Sequence, residues 1–378
     1  MTLFARRPKL RWLVPLVAVA VLASAGSVAA TIAASARDPL PARSAAQLLV
    51  DVQNARVEGL SGTVVQSADL GLPALPGPSG DQSSNLSSLV SGSHTLRVWY
   101  AGPEKARIAL LGQLGESDVV RNGSDVWIWS SRDNSARHLK VPAGATHASG
   151  DAATAPGQPM TPQQAADAAL KAITPTTRVS TARTAEVAGR SAYELVLEPR
   201  DTATLVGEVR IAVDGATHIP TRVQVFARGA AQPAFEVGFT SFDPSQPSSS
   251  VFEFNPPPGT KVTEGVLGGA DHSSAVDPSD ANAAEPQVIG DGWTAVVKAT
   301  LPQPIDQSTG RDPGEGAVGG AALGNLGSIV QRLPTVSGSW GSGHLLRGTL
   351  FSVLVSDDGR VVAGAVGPER LYAALAAK

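Results

Sequence analysis

Two pairs of side chains in this sequence have types and spacing that suit chemistry. The stretch "WGSGH" (340–344) sets Ser342 two residues before His344, a nucleophile beside a base as acyl transfer needs. Glu194 and Glu198, four apart in "YELVLEPR", would point the same way from a strand, as an acid/base couple must. Against both stand ordinary alternatives: short Gly/Ser tracts make turns, and strand carboxylates face water. No G-x-S-x-G elbow, no P-loop and no G-x-G-x-x-G after a strand occurs. Of His94, His138, His147, His218, His272 and His344, no two lie at i,i+3 or i,i+4, and none has an acidic neighbour at metalloprotease spacing. Cys is absent, which excludes disulfides, thiolate metal sites and a lipid-modified N-terminal Cys. The residues therefore support no enzyme, imply no metal and call for no cofactor.

What the sequence has in surplus is apolar strand. Hydrophobic residues make up 42% of the chain, although aromatics are only 4% and charged residues 17%. "TLRVWY", "RIALLG", "VWIWSS", "YELVLE" and "FSVLVS" carry large side chains at adjacent positions. In "VVRNGSDVWIWSSRDNSARHLKV" (119–141), Trp127 and Trp129 share one strand face while Val126 and Ile128 take the other. Antiparallel sheets usually keep one face polar, so both faces of these strands need a cover. Helices and loops can supply it, or a curved sheet can enclose a cavity that accepts an acyl chain or another hydrophobic segment. The candidate cavity wall comprises Trp99, Trp127, Trp129, Leu96, Val98, Ile108 and Leu110. If the opposite face turns inward, Val126 and Ile128 line it in place of the tryptophan pair.

The elements that would position this wall follow from turn and cap signals. Ser44, with Gln47 three residues on, is a capping box that starts a helix over Ser44–Glu58, with Leu48, Leu49, Val52 and Ala55 inward and Gly59 as the stop. "SGTVVQSA" begins a strand. After a Pro/Gly loop comes a meander of "SHTLRVWY", "ARIALLGQ", "ESDVVR", "VWIWSS" and "RHLKV" with turn residues between its members. "TPQQAADAALKAI" predicts a second helix, with Thr161 as cap and Pro162 at its first position. Strands resume with reversals at Ala188-Gly189 and Asp214-Gly215, and "AFEVGFTSFDP" and "VFEFNPPPGTKV" close the set. The pattern is an α+β domain on one long antiparallel sheet over 40–262. Residues 263–286 have linker composition, and 287–378 form a small unit with a hairpin at Asp358-Gly359 and a terminal helix from Pro368.

The N-terminus sets the compartment. Arg6, Arg7, Lys9 and Arg11 precede an uncharged run over residues 12–36. As a helix those residues would extend roughly 37 Å, against about 30 Å of bilayer hydrocarbon. A cleavable signal has a shorter apolar region of about 7–15 residues, yet "ASA" at Ala34–Ala36 fits a cleavage site. Residues 1–36 are thus a signal-anchor helix or a signal peptide. In both cases the basic residues stay cytoplasmic and the chain after Arg37 is exported. The net charge of −3 supplies no field for nucleic acid.

Several segments in order resemble LolA- and RseB-like proteins: "GLSGTVVQSADLGLP", "LRVWYAGPEKARIALL", "DVVRNGSDVWIWS", "VAGRSAYELVLEPRD", "VRIAVDGATHIPTRVQVF", "FEVGFTSFD" and "FEFNPPPGTKV". The resemblance covers about residues 40–262, and the final F-x-F, Pro-Pro, G-x-x-V run is its most specific piece. It implies an unclosed antiparallel β half-barrel wrapped over two helices, with no catalytic motif. It also implies extracytoplasmic binding of lipid, lipopeptide or lipoprotein acyl chains. Its RseB branch implies instead an envelope-stress sensor or scaffold with a membrane-protein partner such as an anti-sigma factor. A soluble shuttle keeps no anchor and the minimal carrier has no counterpart of 287–378, whereas RseB-like proteins have a second small domain.

Overall fold

The first described helix shows how local chemistry seeds this fold. The computed structural model describes residues 40–72, 88, 91–113, 115–142, 175–266, 286–300 and 330–377. Within it α1 spans Ala45–Asn54. The Ser44 hydroxyl accepts from the Gln47 amide at 3.2 Å, and the Gln47 side chain accepts from the Ser44 amide at 2.9 Å. This is the reciprocal box the sequence predicts. The helix ends at Asn54, four residues before the expected Glu58. Leu48, fully buried, is its anchor, set among Tyr193, Leu195 and Val213. The apolar run at 12–36 and the helix expected over 161–173 lie outside the described residues. Among the described residues, no helix is long and apolar enough to cross a membrane.

The meander forms as its turn residues dictate. β1 (Leu60–Ala68), β2 (Gly92–Tyr100), β3 (Lys105–Gly112), β4 (Gly115–Asn122), β5 (Asp125–Ser130) and β6 (Ser135–Lys140) pair antiparallel, each with the next. Then come β7 (Thr177–Thr181), β8 (Ala185–Val187), β9 (Arg190–Pro199), β10 (Val206–Asp214), β11 (Pro220–Ala227) and β12 (Pro233–Asp243). Ala188 and Gly189 reverse the chain between β8 and β9 with φ of 51° and 72°, the two positive values a tight hairpin turn wants. At the next reversal the Asp214 carboxylate accepts from the Thr217 amide and hydroxyl, each at 2.8 Å, and Arg190 donates to it at 2.6 and 3.0 Å.

β1 pairs with β12, and with β13 (Lys261–Val266) this gives one sheet in the order β13-β6-β5-β4-β3-β2-β1-β12-β11-β10-β9-β7, with β8 beside β9. Its end strands do not pair with each other, so the sheet is unclosed. Gly62 is required at the β1–β12 seam, because a Cβ there would lie 2.2 Å from the Ser241 carbonyl.

"VFEFNPPPGTKV" departs from the expected closing antiparallel strand. Pro256, Pro257 and Pro258 lack the amide donors a ladder needs. The segment instead forms a 3₁₀ turn (Ser249–Phe252), an extended stretch, and then β13 (Lys261–Val266), which runs parallel to β6. β13 thus extends past residue 262 into the expected linker.

The tail is richer than a hairpin and helix. β14 (Gln287–Ile289), β15 (Val296–Thr300), β16 (Thr335–Gly338), β17 (Gly341–Arg347), β18 (Ser352–Ser356) and β19 (Arg360–Gly364) form a second sheet in the order β14-β15-β19-β18-β17-β16. α2 (Pro368–Ala376) lays Leu371 and Leu375 on Leu345, Leu354 and Val362. The unit docks on the large sheet. Leu205 donates to the Ala365 carbonyl at 2.8 Å, Thr349 to the Leu70 carbonyl at 2.7 Å, and the Trp293 indole to the Thr177 hydroxyl at 2.8 Å. Trp293 and Leu350 pack against the cluster of Val206, Val209 and Val223.

Candidate functional site

Strand register sorts the candidate wall. Across β2–β5, Val98, Ile108, Val119 and Ile128 stand directly opposite one another, and each is only partly buried. Beside that row, Leu96 faces Leu110, which is fully buried, and β1 adds Val64. The cluster continues to Val237 and Phe239 of β12, and Val237 also touches the cluster on which the tail packs. The same apolar face is covered over its β9–β12 half, by α1 over β9 and β10 and by the tail over β10–β12.

The next row along the same strands is Trp99, Arg107, Val120, Trp127 and His138, and it necessarily points to the opposite face. Trp129 lies two residues beyond Trp127 on that face. The seven candidate residues thus split: Leu96, Val98, Ile108 and Leu110 share one face with Val126 and Ile128, while Trp99, Trp127 and Trp129 share the other. Period-2 spacing made this division, but nothing in the local sequence says which face is open.

The tryptophan face is covered by the chain itself, through residues 251–255. Phe254 sits 5.4 Å from Trp127 and 6.1 Å from Trp129, centroid to centroid. Phe252 is 1% exposed, and Arg107 Nη1 donates to the Val251 carbonyl at 3.3 Å. On its outer side Trp127 stacks flat on His138, with centroids 4.1 Å apart. A shallow pocket of about 290 Å³ remains between this segment and the β4–β5 turn, lined by Asn122, Asp125, Trp127 and Phe252–Asn255.

Beneath the covering segment lies an ion pair whose carboxylate is buried and whose guanidinium is partly exposed. Arg107 donates to Asp118 Oδ2 at 2.5 Å and lies over the Trp99 ring at 5.5 Å. Burial pushes the Asp118 carboxyl up to about 6, against the pull of Arg107, and its Oδ1 has no partner among the described residues. The neighbouring Trp129 indole N–H is likewise buried and unpartnered among them. A carboxyl raised on folding adds stability that is complete below its unfolded value near 3.8 and is lost as pH rises through about 6. Wild type should therefore gain on Asp118→Asn as pH falls from about 7 to about 4. Urea midpoints of the two proteins across that range check this; a constant difference between them would contradict it.

The residues with catalytic spacing are otherwise occupied. The Ser342 hydroxyl donates to Asp357, and His344 Nδ1 meets the Leu333 carbonyl at 3.1 Å, so the two make no nucleophile–base bond. Glu194 pairs with Arg222 at 3.1 Å and Glu198 with Arg178 at 3.0 Å, each neutralised by its own guanidinium. Among the described residues, no three His, Asp or Glu side chains gather as a metal-holding group.

No family model and no curated protein matches the sequence. Solved structures do. The chain is similar to the Pseudomonas aeruginosa MucA/MucB complex structure, at 14% identity over 88% of this chain and 96% of that one, with a TM-score of 0.45. It is similar to an uncharacterized conserved protein from Thermus thermophilus, at 10% identity over 58% and 97%, with a TM-score of 0.33. A LolA superfamily protein from Nitrosomonas europaea matches at 13% identity over 56% and 99%, with a TM-score of 0.20. All three TM-scores lie below 0.5.

Proposed function

We propose that this chain is a non-catalytic extracytoplasmic binding protein. It takes a lipid, lipopeptide or lipoprotein acyl chain on the face shared by α1 and the tail. The observation that carries this reading is the row Val98–Ile108–Val119–Ile128. Four aliphatic side chains in register on neighbouring strands stay partly accessible beside a fully buried Leu110. Such a strip gains about 25 cal/mol for each Å² of apolar surface an acyl chain covers. The LolA-like resemblance of 40–262 supports the same ligand class. In this reading residues 12–36 hold the protein at the cell membrane or direct its export. The test is mass spectrometry of an organic extract of the purified exported part, followed by rebinding of a fluorescent fatty acid after delipidation. A co-extracted lipid and saturable rebinding are expected; neither appearing would refute the proposal.

A second reading, an RseB-like scaffold for a membrane-protein partner, has its own support in the docked tail. The backbone bonds Leu205–Ala365 and Leu70–Thr349 tie the tail to the large sheet, and a second small domain is what the RseB branch of the resemblance implies. Cross-linking in membranes separates the readings. A single stoichiometric membrane protein favours the scaffold, and lipid adducts alone favour the carrier.

A further inference from the structure

His138 on β6 has a carboxylate at each ring nitrogen. Nε2 lies 2.6 Å from Asp125 Oδ1 on β5, and Nδ1 lies 2.8 Å from Glu264 Oε2 on β13. The side chain is 14% exposed, with its ring flat against Trp127. A neutral imidazole has one N–H, so one of these contacts would set a lone pair against a carboxylate oxygen. Only the imidazolium donates at both.

The position of Glu264 gives this arrangement a mechanical meaning. β13 pairs with β6 alone at the end of the sheet and is exposed along nearly its whole length, with Val262 at 44% and Val266 at 51%. Its entry is pinned by neutral bonds. Lys261 donates to the Asn134 carbonyl, and Asn134 Nδ2 to the Gly259 carbonyl, both at 3.0 Å. Farther along, its side-chain tie to the sheet is the Glu264–His138 contact. Gly265 keeps the backbone close there, since a Cβ would come 2.9 Å from Leu139. Lys140, two residues along β6 from His138, lies 2.5 Å from the same Asp125 carboxylate. Lys140 already offsets Asp125, which leaves Glu264 as the natural counter-charge of the imidazolium.

We propose that His138 is a proton-operated latch on β13, the strand from which the chain leaves for the tail. Protonated, it ties the middle of that strand to the sheet; without the second N–H, the strand is held only by its exposed ladder and its pinned entry. The latch is made while the imidazole carries its second proton and is lost when that proton leaves. Hydrogen bonds from Lys140 and His138 hold the Asp125 carboxyl below the usual carboxylate range.

The test is hydrogen–deuterium exchange of the full chain at about pH 5.5 and 8, corrected for intrinsic rates and read on peptides spanning 259–266. Wild type should exchange about tenfold faster there at the higher pH, the factor expected for one charge-assisted hydrogen bond. Glu264→Gln, at a side chain 68% exposed and so safe for the fold, should exchange fast at both pH values. His138→Gln should do the same, with β9 and β10 unchanged in every protein. A wild type without the pH step, or a step that survives in Glu264→Gln, overturns the latch.

Discussion

Ile108→Asp should lower the affinity for a fatty acyl probe about 100-fold while leaving the fold intact. Ile108 sits between Val98 and Val119 in the cross-strand row and is partly exposed, so a carboxylate there keeps its water in the free protein. Only an acyl chain laid over the row would strip that water. Desolvating a charge with no partner costs more than the lost contact alone, which is why the effect should exceed that of Ile108→Ala. The neighbouring Leu110 would be a poor choice for this test, because it is fully buried and its loss would confound binding with stability. The matched control is Trp99→Ala, one residue along from Val98 and therefore on the other face. It should change affinity less than about twofold. Titration of delipidated protein with a fluorescent fatty acid reads both, with circular dichroism as the check on folding. Equal losses from the two substitutions would place the ligand elsewhere.

Phe252→Ala should destabilise the protein by about 3–5 kcal/mol, the range for truncating a fully buried phenylalanine. Phe252 closes the 3₁₀ turn that lies on β3 and β4, and beside it Val251 accepts the Arg107 hydrogen bond. Removing the ring leaves a void under the segment that covers Trp127 and Trp129. It also loosens the cover over the Arg107–Asp118 pair, whose geometry depends on exclusion of water. Urea denaturation measures the loss, and Trp fluorescence should report wetter indoles in the folded baseline. A change below about 1 kcal/mol would mean that residues 251–255 merely rest on the sheet.

How much of this was legible in the sequence depends on how local the cause is. The capping box at Ser44, the Ala188-Gly189 reversal and the order of strands in the meander were readable, since each is fixed by residues within a few positions. The unclosed sheet came through the order of those segments. The covering of the tryptophan face was not readable. It is supplied by Phe252 and Phe254, more than 100 residues downstream of Trp127, in a stretch whose three prolines look like a strand terminator. Four of the tail strands, β14–β17, also lay outside the expected hairpin, and β14 with three residues and β16 with four are too short for an alternating pattern to register. Alternation places the three tryptophans of the expected wall on the face opposite its four aliphatic residues.

The division between the faces is what a direct measurement can decide. A photoactivatable fatty acid, bound to the delipidated protein and irradiated, can be mapped to single residues by mass spectrometry. Adducts at Val98, Ile108, Val119 or Ile128 are the predicted result. Adducts confined to Trp99, Trp127 or Trp129, or none that saturate with probe concentration, would contradict binding on the face of α1 and the tail.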